Sequence, residues 1–567
     1  GFNNFFTNVG PQLANKIPND GKNFKDYLKN PATTKFKFKK VNSGEVIKII
    51  STLKSKDSCG VDGLSTRLLK TVAPNIIDTL THLINLSLET GYIPNELKIA
   101  KIIPIYKSGE KNVYTNYRPI SLLPAISKLF EKVAATQLNN YLNTSDLFYL
   151  HQYAFRDAHN TMHPLIHFID KIYKSFTEKV PKAVLSIFLD LKKAFDTVNH
   201  DILLKKLEYY GIQGCENTWF QNYLSGRTQF VDINGVASNP LDISCGVPQG
   251  SILGPILFLI YINDLPNVVE FLTLLFADDT TFQYTHSDIK TLFEQTNTQL
   301  ALASEWFSAN KLTLHAQKTK YMVFLPTGGK TDDLNNYKIK LGDTILERVG
   351  TGCKDNSIKF VGLYIDDKLR WDDQLKNVRK KLNCANFHLA RSKNLLPLSA
   401  RKTIYNSIFR PHLDYGLLAW GGVNKTKIKP IVTLQKKAIR NLANAHYIAH
   451  TEPIFKQYKL LKLDDLYQLQ VGKFIHSYMT NITKDKLPKS FTNFFTLADT
   501  MTERNTRQSK TLNLHYKTSK KDKIDMLTTP QIIKTWNAIP LELKMLPSKG
   551  AFKKQFIIKK VDSYENI

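Results

Sequence analysis

Two adjacent carboxylates follow an apolar run in Phe276-Ala277-Asp278-Asp279, and a second apolar run, Ser186-Ile187-Phe188-Leu189, ends on Asp190. Both runs are short and apolar enough to be buried strands. A further strand-like stretch, 280–284, follows Asp279, so residues 271–284 read as a hairpin with both acids at its tip. Asp-Asp in a turn is commonplace by itself. Uncompensated acids at the ends of two buried strands are costly, however, unless a cation joins them. If the strands are neighbours, Asp190, Asp278 and Asp279 converge on one spot, and hard oxygen donors of that kind suit Mg²⁺.

A third element fits the same chemistry. The stretch Gly246-Val247-Pro248-Gln249-Gly250-Ser251 leads into an apolar helix. Its glycines let backbone approach a ligand closely, and Gln249 supplies an amide for a base or sugar. Taken alone, it is also an ordinary loop before a core helix.

The elements that must position these groups follow from periodicity. Ser43 opens a helix with Val46, Ile47, Ile50 and Leu53 on one face, and a second helix starts at Pro74 and stops at Gly91. Strands are expected at 100–106, 183–189, 271–277 and 321–325, with a long amphipathic helix over 287–310 between the last two. A Gly/Asp/Asn-rich break at 328–336 marks a boundary between subdomains. Beyond Trp371 the pattern is almost wholly helical. Residues 1–42 show no sustained periodicity and read as an arm, and 502–523 are basic with few aliphatics, a solvated or RNA-contacting segment. The class is α+β followed by an all-helical tail.

Composition narrows the partners. In 567 residues, 78 Lys and Arg outnumber 49 acids, for a formal charge of +29, the footprint of a polyanion partner. The longest apolar stretch, 252–262, is about half the ~20 residues a membrane-spanning helix needs, and no secretory signal opens the chain. Five cysteines without a C-x-x-C pair argue against a disulfide framework or zinc ribbon and fit a reducing, intracellular compartment. His159 and His163 have i,i+4 zinc spacing near His151 and His167, but no Cys or acid completes a site, so these read as surface or RNA-facing histidines.

With Asn116-Tyr117-Arg118-Pro119-Ile120-Ser121-Leu122-Leu123 added in front, the ordered motifs (Phe188-Leu189-Asp190 to Phe195-Asp196, 246–255, 276–279) resemble a reverse transcriptase, and more narrowly the polymerase of non-LTR (LINE-type) retrotransposons. The helical tail, with Arg410-Pro411-His412-Leu413-Asp414-Tyr415-Gly416 and Trp420, is similar too. The resemblance implies a right-hand polymerase fold: a connector over 1–42, fingers and palm with an antiparallel sheet over 43–366 (core motifs about 88–366), a helical thumb over 367–445, and a basic helical C-terminal region over 446–567.

It also implies roles. Asp190, Asp278 and Asp279, with the Leu191 backbone, would hold two Mg²⁺ ions, for which Mn²⁺ can substitute. Phe195 would be a steric gate against a ribose 2′-hydroxyl. Gln249 and Gly250 would pack against the incoming dNTP, Arg118 and Lys107 would grip its triphosphate, and Lys318 would protonate pyrophosphate. Residues 360–366 and Trp371 resemble a primer-grip hairpin and thumb entry. RNA template, DNA primer at a nicked target and dNTPs would be the partners, in the nucleus with the element's RNA.

Some positions depart from the family pattern. Ala154 replaces glycine in Gln152-Tyr153-Ala154-Phe155-Arg156, Asn160-Thr161 stands where Ser-Thr is usual, and His315 stands where Asn is common. No endonuclease or zinc knuckle is visible, so the chain reads as the polymerase part of a larger product. Two rival readings are a catalytically inactive RNA-binding or packaging protein with the same fold and an intron-maturase-type reverse transcriptase. The intact carboxylates with Gln249 disfavour the first, and the LINE-like tail without a His-Asn nuclease motif disfavours the second.

Overall fold

The computed structural model describes residues 1–18, 21–326, 332–481, 488–491, 494–497, 512–515 and 528–565. Most of the basic 502–523 stretch and part of the 328–336 break lie outside the described residues.

The chain is mixed α/β. Its helices begin with α1 Phe2–Asn15, α2 Ser43–Thr52, α3 Thr66–Thr90, α4 Ser127–Thr144, α5 Met162–Thr177, α6 His200–Tyr209, α7 Cys215–Leu224, α8 Leu253–Ile262 and α9 Ile289–Ala309. Strands β1 Ile99–Tyr106, β2 Tyr117–Leu122, β3 Ala183–Leu189, β4 Thr228–Ile233, β5 Val236–Ala237, β6 Leu241–Asp242, β7 Leu272–Phe276, β8 Asp279–His286 and β9 Lys320–Phe324 are followed by β10 Lys340–Leu341, β11 Thr344–Ile345, β12 Glu347–Val349 and the hairpin β13 Ser357–Phe360 with β14 Leu363–Asp366. From Asp372 onward nearly all described elements are helices, beginning with α10 Asp372–Ser392; a short pair of strands, Thr496–Leu497 with Leu514–His515, interrupts them.

The central sheet has the order β12-β9-β3-β8-β7, with β3 antiparallel to both β8 and β9. All seven residues of β3 are buried. Period-two alternation sends Ala183, Leu185, Ile187 and Leu189 to one core with residues of α4, α6, α8 and α9, and Val184 and Phe188 to a second core with α5, the β13–β14 hairpin and the helical tail. A strand covered on both faces is mostly apolar; its one polar side chain, the buried Ser186, accepts from Gln283 Nε2 at 3.2 Å, and the first charged group comes at the strand's end, at Asp190. A second five-stranded sheet has the order β2-β1-β4-β5, with β6 paired to β4.

Two expectations need correcting. Residues 1–42 are not simply an arm, because Phe2–Asn15 forms a helix despite Gly10 and Pro11 within it. Isolated propensity argues against that helix. Packing overrides it: Phe6 is buried with Ala100, Ile102, Leu123 and Val231 of the second sheet, and Asn3 Nδ2 donates to the Gln229 and Asn239 carbonyls at 3.2 and 2.8 Å. Likewise α3 begins at Thr66, capped by Ser65 and running through Pro74, rather than starting at that proline. Its end at left-handed Gly91 is as read.

Candidate active site

Asp190 emerges where β3 runs out. Its carbonyl accepts from His315 N at 2.8 Å, and its N–H donates to Thr319 Oγ1 at 3.3 Å, so the strand end is tied to the loop before β9. The neighbouring hairpin brings the other acids. Phe276 pairs with Asp279, which leaves Ala277 and Asp278 as the turn. Asp278 therefore occupies the tip and Asp279 opens β8, a correction to the reading that put both acids at the tip. Continuing the β3–β8 register beyond Leu189↔Thr280 sets Asp279 across from Asp190.

The turn is strained, since Ala277 has φ 57°. Gln152 braces it: the buried side-chain oxygen accepts from Ala277 N at 3.4 Å and from Ala154 N at 3.1 Å, while Tyr153 N donates to the Leu275 carbonyl at 2.9 Å. Motif spacing alone did not single out Gln152 for this job. Ala154, where the family has glycine, is buried and accommodated.

The acids crowd one another. Burial and repulsion from Asp190 raise the Asp278 carboxyl above its ordinary range, and burial with repulsion from Asp278 and Asp190 pushes Asp279 up to about 6. Lys318 Nζ stands 3.9 Å from Asp190 Oδ2 with its side chain largely exposed.

Asp190 and Asp278 open onto a cavity of about 710 Å³, also lined by Lys107, Arg118, Leu191, Phe195, Gln249, Gly250 and Lys318. The structure thus gathers the expected site residues around one space, apart from Asp279, which is not part of that lining. The 246–251 loop closes one side by docking on β2. Ser121 N donates to the Gln249 carbonyl at 2.8 Å, and Gly250 has φ 136° with a Cβ position only 2.5 Å from the Ser121 carbonyl, so a side chain there has no room.

Several lining residues escaped the sequence reading. Lys193 contacts the Tyr117 carbonyl at 3.4 Å; burial lowers its amine, and Lys107, Arg118 and Lys318 add to that. Phe5, Val9 and Leu13 of α1 also line the cavity. Their spacing with Phe2 was a helical signal, masked by Gly10 and Pro11. The four histidines are not free surface groups: His163 is buried and the other three are half-buried. They pack around Tyr153, with His163 and His167 against Phe491, and burial holds His151 and His159 at about 4.

Among the described residues no three His, Cys, Asp or Glu side chains form a ready metal-holding group. Two carboxylates, Asp190 and Asp278, with the Leu191 backbone beside them, nevertheless make an all-oxygen donor set whose mutual repulsion calls for a cation. Such a partial set suits an ion that completes its shell with water and substrate phosphates. No described helix is long and apolar enough to cross a membrane.

The family described as reverse transcriptase (RNA-dependent DNA polymerase) matches residues 105–365, and its members use divalent metal ions. A Drosophila melanogaster protein named as the probable RNA-directed DNA polymerase from transposon BS is 27% identical over 459 residues, covering 78% of this chain and 49% of its own. The RNA-directed DNA polymerase from mobile element jockey is 27% identical over 463 residues in Drosophila melanogaster, covering 79% of this chain and 49% of its own. Its Drosophila funebris counterpart is 27% identical over 450 residues, covering 76% and 47%. The chain spans about half the length of these curated relatives. Residues 105–365 are thus a reverse transcriptase domain, and the chain is related to the RNA-directed DNA polymerases of non-LTR retrotransposons.

Proposed function

We propose that the protein is the RNA-directed DNA polymerase of a non-LTR retrotransposon and copies the element's RNA from a primer at nicked target DNA. On this reading the central sheet is the palm of a right-hand polymerase, the second sheet belongs to the fingers, and the helices from Asp372 begin the thumb. The observation that carries it is the placement of Asp190 and Asp278, from strand ends brought together by the sheet, on one wall of a cavity whose lining also bears Lys107, Arg118 and Gln249.

Asp190, Asp278 and the Leu191 carbonyl would hold divalent cations, Mg²⁺ in the first instance. When bound, a pair of such ions lowers the pKa of a primer 3′-hydroxyl and neutralises charge on the triphosphate and leaving pyrophosphate. Arg118 pairs with triphosphate oxygens through its planar fork, and Lys107 and Lys193 add point charges. Lys318, beside Asp190, is placed to hand a proton to the leaving group. Phe195 and Gln249 face the sugar, and the positive surface of the chain holds the RNA–DNA duplex through its backbone and A-form shape.

The test is primer extension on RNA and DNA templates with dNTPs and Mg²⁺. Asp278→Asn should abolish extension while template–primer affinity stays close to wild type, because the lost group stabilises the transition state rather than contacting phosphates of the duplex. Extension that survives the substitution would refute the reading.

A further inference from the structure

Asp196 follows the ring of Phe195 directly. Its Oδ1 accepts a hydrogen bond from Gln249 Nε2 at 2.8 Å, and its Oδ2 is buried without a partner. The backbone here is clamped. Val247 N donates to the Phe195 carbonyl at 2.9 Å, and Gly246 N donates to the Val198 carbonyl at 2.7 Å. A Cβ on Gly246 would lie 2.8 Å from the Asp196 carbonyl, and one on Gly10 of α1 would lie 2.3 Å from the same atom. Neither position tolerates a side chain without moving the Asp196 backbone, so that backbone sits in a fixed place, and the Gln249 bond holds the carboxyl.

An ionised carboxylate only accepts hydrogen bonds. It can therefore hold the amino end of the Gln249 amide and not the carbonyl end. Burial pushes the Asp196 carboxyl up to about 6, opposed by the Gln249 bond and by Lys193, so the group is ionised at neutral pH. With Nε2 committed, the Gln249 carbonyl oxygen is the end left for the cavity, where Phe195, Pro248 and Gly250 also lie. An acceptor beside the sugar reads a hydroxyl donor. An untethered amide could present either end, so its contact with the hydroxyl would not be held in one geometry.

We propose that Asp196 is a positioning residue that holds Gln249 with its carbonyl oxygen toward the sugar of the incoming nucleotide, so that the site selects nucleotides with a free sugar hydroxyl. This rests on the reading of the cavity as a nucleotide site. Asp196 acts only through Gln249, and that fixes the test.

Single-nucleotide incorporation on an annealed primer–template is measured as kcat/KM for a dNTP and for the matching 2′,3′-dideoxy analogue. The set is wild type, Asp196→Ala, Asp196→Asn, Gln249→Ala, both Asp196 changes combined with Gln249→Ala, and Asp278→Asn. A charge-assisted hydrogen bond lost from a rigid site corresponds to about ten- to hundredfold. Asp196→Ala should lose that much in kcat/KM for the dNTP, and the preference over the dideoxy analogue should shrink toward unity. In the Gln249→Ala background the same change should cost almost nothing further.

Asp196→Asn keeps the volume of the side chain, so it serves if the alanine variant does not fold. It should show a smaller loss that also vanishes in the Gln249→Ala background. Losses that multiply in the double variants, or a dideoxy preference that stays unchanged, would overturn the proposal. Incorporation that persists in Asp278→Asn would instead overturn the polymerase reading, a separate failure.

Discussion

Replacing Phe195 with alanine should let the enzyme accept ribonucleotides. The Phe195 ring lines the cavity that holds Asp190 and Gln249, and behind it Phe258 stacks at 4.6 Å between centroids and 25° between planes. Its carbonyl is tied to Val247 N at 2.9 Å. The ring is buttressed and cannot retreat from an added hydroxyl. Forcing that extra volume against a fixed wall costs about 1–3 kcal/mol. Each 1.36 kcal/mol is tenfold in rate, so discrimination of roughly five- to two-hundredfold should vanish with the ring. The same truncation removes the stack on Phe258. Full burial would make that loss about 3–5 kcal/mol, and the ring is only partly buried, so about 1–3 kcal/mol of stability should go. The assay is kcat/KM for a dNTP and its matching rNTP, with a thermal melt run in parallel. If both values fall while their ratio stays put, the ring is core packing and the gate reasoning is wrong.

Lys206 and Asp264 form a fully buried ion pair, with Trp306 Nε1 donating to the second Asp264 oxygen at 2.8 Å; Lys206→Met should cost about 3–5 kcal/mol in chemical denaturation, and a loss under 1 kcal/mol would contradict it. Burial depresses His151 and His159 from 6.5 to about 4, so the unfolded chain binds protons first. Stability should therefore be lost as pH falls below about 6.5, by up to about 1.4 kcal/mol per pH unit for each group, and a melting temperature flat between pH 7 and pH 5 would exclude this. Template–primer binding should weaken steeply with salt, each phosphate contact adding about 0.7–0.9 to the log–log slope; a flat titration would defeat the nucleic-acid reading of the +29 charge.

The strands that run into the acids were legible in the sequence because a strand buried on both faces is mostly apolar, and its first carboxylate then marks the end. That logic located β3 and β7, whereas β8, with Thr280, Thr281 and Gln283 in it, was only strand-like in pattern; the motif order pointed to a reverse transcriptase. Local patterns could not show which strands are neighbours. Only the β3–β8 pairing brings Asp190 opposite the Asp278–Asp279 hairpin, and only the turn register separates Asp278 at the tip from Asp279 within a strand. The helix over Phe2–Asn15 was hidden for a related reason. Gly10 and Pro11 weaken it locally, while contacts with β1 and β4, about a hundred or more residues away in sequence, stabilise it. The buttressed Gln152, the cluster of neutral histidines and the Asp196–Gln249 bond belong to the same class. Residue types and short spacings are written along the chain; contacts between distant segments, and the burial that sets protonation, exist only after the chain has folded.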